Sequence, residues 1–234
     1  MKTAIMKTTI MKTAMASLCG VLGLFCYTPI AQAIPLTPGM ATPAGCFAPA
    51  GACDFTGQAV GTLDAFLVTP VMATTFSGTL TSAVYQDGAF LDFYYQFTNN
   101  STSSDPVDQI TPSSFAGFTT DVGSRNDASG NVGLTAGGFV TGDANPATAF
   151  RLPGTGSGVD FEQIVALPGH STYVLVVKTN ATTFGTGTAA LQDTTNVTVA
   201  ALAPSPEPTT IGLLFVGLLG IVAVVERRRR TQQV

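Results

Sequence analysis

Between Cys53 and Ala201 apolar residues come in short runs separated by Gly, Pro, Asn and Asp, the pattern of strands joined by turns. The first clear pair runs near Thr75 to Gln86 and Ala89 to Thr98, around Asp87-Gly88, a dipeptide suited to a tight hairpin turn. In the second of these strands Leu91, Phe93, Tyr95 and Phe97 share one face at period two, so that face is expected in the core. Phe90, Asp92, Tyr94 and Gln96 share the other. Polar Asn99 to Pro106 reads as a loop, and a further strand is expected from Ser113 to Val122. The Gly-, Asn- and Asp-rich stretch from Asp121 to Pro146 predicts loops and short edge strands. Val159 to Leu167 and Tyr173 to Val177 flank the Pro168-Gly169 turn; the second run is apolar on both faces, as in a central strand. After a break at Gly185 to Gly187, a last strand is expected near Asn196 to Ala201. Strands at this spacing predict an all-β body over residues 34–203, a single β-sandwich of immunoglobulin-like or jelly-roll topology.

Two apolar runs at the ends do not fit this rhythm. Lys2, Lys7 and Lys12 precede an apolar stretch from Ala14 to Tyr27, and Ala31-Gln32-Ala33 follows it. A basic start, an apolar middle and small residues at Ala31 and Ala33 predict a signal peptide over residues 1–33, cut by signal peptidase after Ala33. The opening repeats as MKTAI, MKTTI and MKTA, so Met1, Met6 and Met11 serve equally as starts. At the other end, residues 204–234 carry Pro206-Glu207-Pro208, then an uncharged stretch from Thr209 to Val225, then Glu226 and Arg227, Arg228, Arg229 and Arg230. As a helix, that stretch is about 25 Å long against a hydrocarbon core of roughly 30 Å, which predicts a transmembrane helix over 209–225. The arginines stop transfer and hold residues 226–234 in the cytoplasm, with the body on the far side.

The order Pro-Glu-Pro, apolar helix, arginine-rich end resembles the PEP-CTERM sorting signal of Gram-negative bacteria. The resemblance covers about thirty residues, with Pro206, Glu207 and Pro208 in the motif positions. It implies recognition by exosortase, a membrane-embedded cysteine protease or transpeptidase, and processing near the motif. The body would then be anchored in the inner membrane, facing the periplasm, before passing to the outer surface or an exopolysaccharide matrix. The same tail also circulates as an ice-binding protein C-terminal domain, a label that says nothing about the body.

Only 10% of the residues are charged and Trp is absent, which suits strands better than surface helices. Within the body Arg125, Arg151 and Lys178 stand against eleven Asp and Glu162, a net charge of −9. That balance excludes nucleic acid as a partner, because phosphate binding needs a basic surface. Cys19 and Cys26 fall in the apolar stretch of the signal, behind Leu18 and Phe25, where lipid attachment would need a small residue. Cys46 and Cys53 remain and are expected to form a small-loop disulfide in an oxidising compartment.

No catalytic residue is assigned. His170 is the one histidine, and Gly169-His170-Ser171-Thr172-Tyr173 has Tyr where a nucleophile elbow requires Gly. Gly154 to Gly158 lacks the lysine of a phosphate-binding loop. Asp160 and Glu162 share a strand face, but a glycosidase needs two carboxyls that face each other. No metal site is assigned either: Asp121, Asp127, Asn131, Asp143 and Asn145 offer oxygens suited to calcium, without the spacing of an EF-hand. The expected function is that of a noncatalytic envelope or extracellular-matrix protein associated with exopolysaccharide. The alternative is a secreted module binding a glycan or another ligand against exposed tyrosines such as Tyr94.

Overall fold

Runs of β-branched and aromatic residues pair across Gly-, Pro- and Asp-containing turns to build two antiparallel sheets, described by a computed structural model over residues 34–205. The readings made on residues 1–33 and 206–234 lie outside the described residues: the signal peptide with Ala31 and Ala33, the Pro206-Glu207-Pro208 motif, the 209–225 span and Arg227 to Arg230. Among the described residues no helix is long and apolar enough to cross a membrane.

The elements in chain order are β1 (Ile34–Pro35), β2 (Thr62–Met72), β3 (Ser77–Asp87), β4 (Phe90–Asn99), β5 (Val107–Pro112), β6 (Thr120–Arg125), α1 (Val132–Ala136), β7 (Thr148–Arg151), β8 (Val159–Ala166), β9 (Val174–Thr179), β10 (Phe184–Gln192) and β11 (Asn196–Pro204). One sheet has the order β1-β6-β9-β4-β3-β2, the other β11-β10-β5-β8-β7. The β3–β4 hairpin lies where Asp87-Gly88 predicts it, with Asp87 opposite Phe90 and Gly88 at φ +65°, a conformation that glycine adopts without Cβ strain.

Between the sheets Leu80, Val84, Leu91, Phe93, Tyr95, Phe97, Leu175 and Val177 meet Val107, Ile110, Phe161 and Leu191. Phe93 packs edge-on against Phe115 at 6.0 Å, and the Tyr95 hydroxyl donates to the Leu202 carbonyl at 2.7 Å. The first face of β4 is therefore core, as its periodicity predicts.

The second face of β4 is buried as well beyond Phe90, at Asp92, Tyr94 and Gln96. Ala83, Tyr85, Tyr94, Val174 and Val176 form a second cluster on the outer side of the sheet, under Phe55, Ala128, Leu134 and Phe139. Apart from Phe55, this cover comes from the Gly-rich stretch expected to hold loops and edge strands. It supplies instead β6, inside a sheet next to β9, and α1, whose first turn is capped when the Leu134 amide donates to Asn131 Oδ1. Gly123 lets this happen: a Cβ there would lie 2.5 Å from Phe55, so only a bare backbone allows that ring onto β6.

Other expectations are corrected by pairing partners that lie far away in sequence. Of the strand read over Ser113 to Val122 only the end is strand: β5 stops at Pro112, residues 113–119 connect the two sheets, and β6 begins at Thr120. Gly185 to Gly187 belong to β10, where they pair with Ala203, Leu202 and Ala201, and are not a break. β2 was not anticipated; its half-exposed alternation includes Pro70, which an edge strand tolerates.

Candidate functional site

Tyr94, expected as an exposed ligand platform, is 2% exposed. It stacks 4.6 Å from Tyr85 and 6.2 Å from Phe139, so it belongs to the outer core and is withdrawn as a binding residue. Burial pushes its phenol well up, and pushes that of Tyr85 up to about 12.

The oxygen-bearing residues considered for calcium are dispersed. Asp127 takes Arg125 in a two-point grip, from Nε and Nη2, both at 2.7 Å, and also accepts from the Gly57 amide. Asn131 caps α1. Asn145 accepts from Ser124 Oγ and donates to the Phe47 carbonyl. Asp143 meets His170 Nδ1 at 2.7 Å on the exposed surface. Asp121 lies opposite Lys178 across the β6–β9 ladder. Each is occupied by a different local partner, and among the described residues no group of three or more His, Cys, Asp or Glu is placed to hold a metal ion.

Two constellations were not legible beforehand. Asp92, Lys178 and Asp121 stand in one row across β4, β9 and β6. Lys178 Nζ lies 3.4 Å from Asp92 and 3.3 Å from Asp87, and 5.7 Å over the Phe55 ring. Burial pushes Asp92 up to about 6, with Lys178 pulling it back down and Asp87 pushing it up. On β8, Asp160 accepts from Gln109 and Thr111; burial pushes it, too, up to about 6, against those hydrogen bonds. Glu162 shares its strand face, as read from the sequence, and raises Asp160 further, so the two carboxyls act as close neighbours and not as groups facing each other across a cleft.

Arg151, at the end of β7, was counted in the sequence only as one of three basic residues, and that scarcity is the signal that could have singled it out. It is 4% exposed. Its Nε donates to the Gly156 carbonyl at 3.2 Å and Nη1 to Leu36 at 2.9 Å; Nη2 donates to Phe115 at 3.0 Å and Phe118 at 2.7 Å. The side chain lines a cavity of about 400 Å³ with Leu36, Phe118, Thr119, Thr120 and Thr155 among its walls.

Cys46 and Cys53 are joined by a disulfide with Cα atoms 5.0 Å apart, and both are buried. Phe47, beside the first of them, packs edge-on against Phe161 at 6.3 Å and so ties this loop to the core. No family model, curated protein or solved structure matches the chain.

Proposed function

We propose that this chain is a noncatalytic exported protein, held by its C-terminal span and then sorted to the cell surface or an exopolysaccharide matrix. The observation that carries the reading is the order of the tail: Pro206-Glu207-Pro208, an uncharged stretch from Thr209 to Val225, then Arg227 to Arg230. The folded body is compatible with it, since its last strand ends at Pro204, two residues before the motif. A body stapled by Cys46–Cys53 also suits an oxidising compartment. Signal peptidase and exosortase are the implied partners. The chain crosses between the sheets from β4 to β5, β5 to β6, β6 to β7, β8 to β9 and β9 to β10, a Greek-key winding that the immunoglobulin-like and jelly-roll topologies share.

Intact mass measured on the protein from membrane, matrix and medium fractions of the producing cell tests the reading. The expected product begins at Ile34 and ends near Pro206 to Pro208. Full-length tails retaining Arg227 to Arg230, found only in the inner membrane, would overturn the sorting step and leave a permanently anchored protein.

A further inference from the structure

Of the three basic residues in the body, Arg125 pairs with Asp127, and Lys178 pairs with Asp87 and Asp92. Among the described residues no carboxylate stands within ion-pair distance of Arg151. Its four backbone carbonyl partners fix the plane of the guanidinium and satisfy four of its five N–H groups, leaving one on Nη1. Carbonyl dipoles solvate the charge but do not cancel it, and a cation withdrawn from water without a counter-charge is an unfavourable arrangement. A carboxylate offers the missing charge and an oxygen to accept from the remaining Nη1 N–H.

The walls around that charge narrow the ligand further. Thr37, Thr119 and Thr155 are exposed and present hydroxyls, while half-buried Phe118 presents apolar surface beside the buried Leu36. Hydroxyl partners beside an apolar face suit a sugar ring better than a bare acid. The volume of about 400 Å³ sits near the small end of ligand pockets, enough for one ring and its substituents. The body's charge of −9 repels a polyanion at long range, which favours recognition of a single acidic unit at a chain end over a charged stretch.

We propose that the Arg151 cavity binds a carboxylate-bearing sugar, a uronate unit, with its carboxylate on the guanidinium and its ring against Phe118. This assignment stands whether or not the tail is processed.

Isothermal titration calorimetry on the full chain in detergent micelles tests it, with glucuronate, glucose and acetate as probes. Glucuronate is expected to bind at least tenfold more tightly than either glucose, which lacks the carboxylate, or acetate, which lacks the ring. Thr155→Trp, which adds bulk at an exposed wall of the cavity and removes none of the four carbonyls that hold Arg151, should abolish glucuronate binding while leaving Tm unchanged. Arg151→Met should abolish binding and also lower Tm, because it frees four carbonyls. Equal affinity for glucuronate and glucose, equal affinity for acetate, no heat from any probe, or wild-type glucuronate binding in Thr155→Trp would each overturn the proposal.

Discussion

Asp92 and Asp160 carry the strongest pH dependence legible in single side chains. Each is buried, at 4% and 5% exposure, and each has its carboxyl pushed up to about 6 by that burial. A carboxyl with a higher pKa folded than unfolded binds its proton preferentially in the folded state. Its ionisation therefore lowers stability, fully so above about pH 6, and the loss is relieved as pH falls toward 4. Each group accounts for roughly 1–3 kcal/mol by this route. Burial raises Asp108 and Asp121 in the same sense. Asp127 has the opposite sign: burial raises it, but the hydrogen bonds from Arg125 and the Gly57 amide outweigh burial and leave it low. Its contribution is present above about pH 4 and lost below its folded pKa. Tm followed by circular dichroism should thus rise from pH 7.5 to pH 5 and fall again below pH 4. Asp92→Asn and Asp160→Asn should each raise Tm at pH 7.5 and flatten the slope between pH 7.5 and 5. A wild-type Tm that is flat or falling over that interval would refute the assignment of those two carboxyls.

At the scale of the element, β4 separates the two ways a strand can be read. Alternation alone places Phe90 and Tyr94 on one face, to be treated alike. The structure divides them, with Phe90 47% exposed at the hairpin and Tyr94 enclosed between Tyr85 and Phe139. Truncating an enclosed ring removes its transfer energy and leaves a cavity, about 3–5 kcal/mol in all, while an exposed ring loses far less. Urea unfolding should therefore show Tyr94→Ala destabilised by about 3–5 kcal/mol and Phe90→Ala by less than about 1 kcal/mol. Similar losses in the two variants would mean that the layer carrying Leu134 and Phe139 does not close over the sheet. The inner face of β4 was legible because its contacts follow the period of the strand itself. The outer face was not, because Phe55, Leu134 and Phe139 reach it from segments roughly 40 residues before and after, and no local pattern records that meeting.

For the molecule as a whole, the disulfide closes a loop with a sequence separation of 7, which by loop-closure entropy contributes about 2–3 kcal/mol. Calorimetry of Cys46→Ala/Cys53→Ala should show a Tm several degrees lower. An unchanged Tm would mean that Phe47 docks on Phe161 without the staple. The all-β class, the β3–β4 hairpin and the central position of β9 were determined by the sequence alone, because each rests on neighbours in the chain: a period of two, a turn dipeptide and an apolar run. Only tertiary structure decided that Tyr94 is core, that Gly185 to Gly187 pair within a strand, and that Asp121, Asp127, Asn131, Asp143 and Asn145 go to separate partners. It also decided that Arg151 sits in a cavity wall, held by the carbonyls of Leu36, Phe115, Phe118 and Gly156. Those outcomes depend on which distant segments compete successfully for the same surface, a matter of packing and desolvation between residues that the sequence keeps far apart.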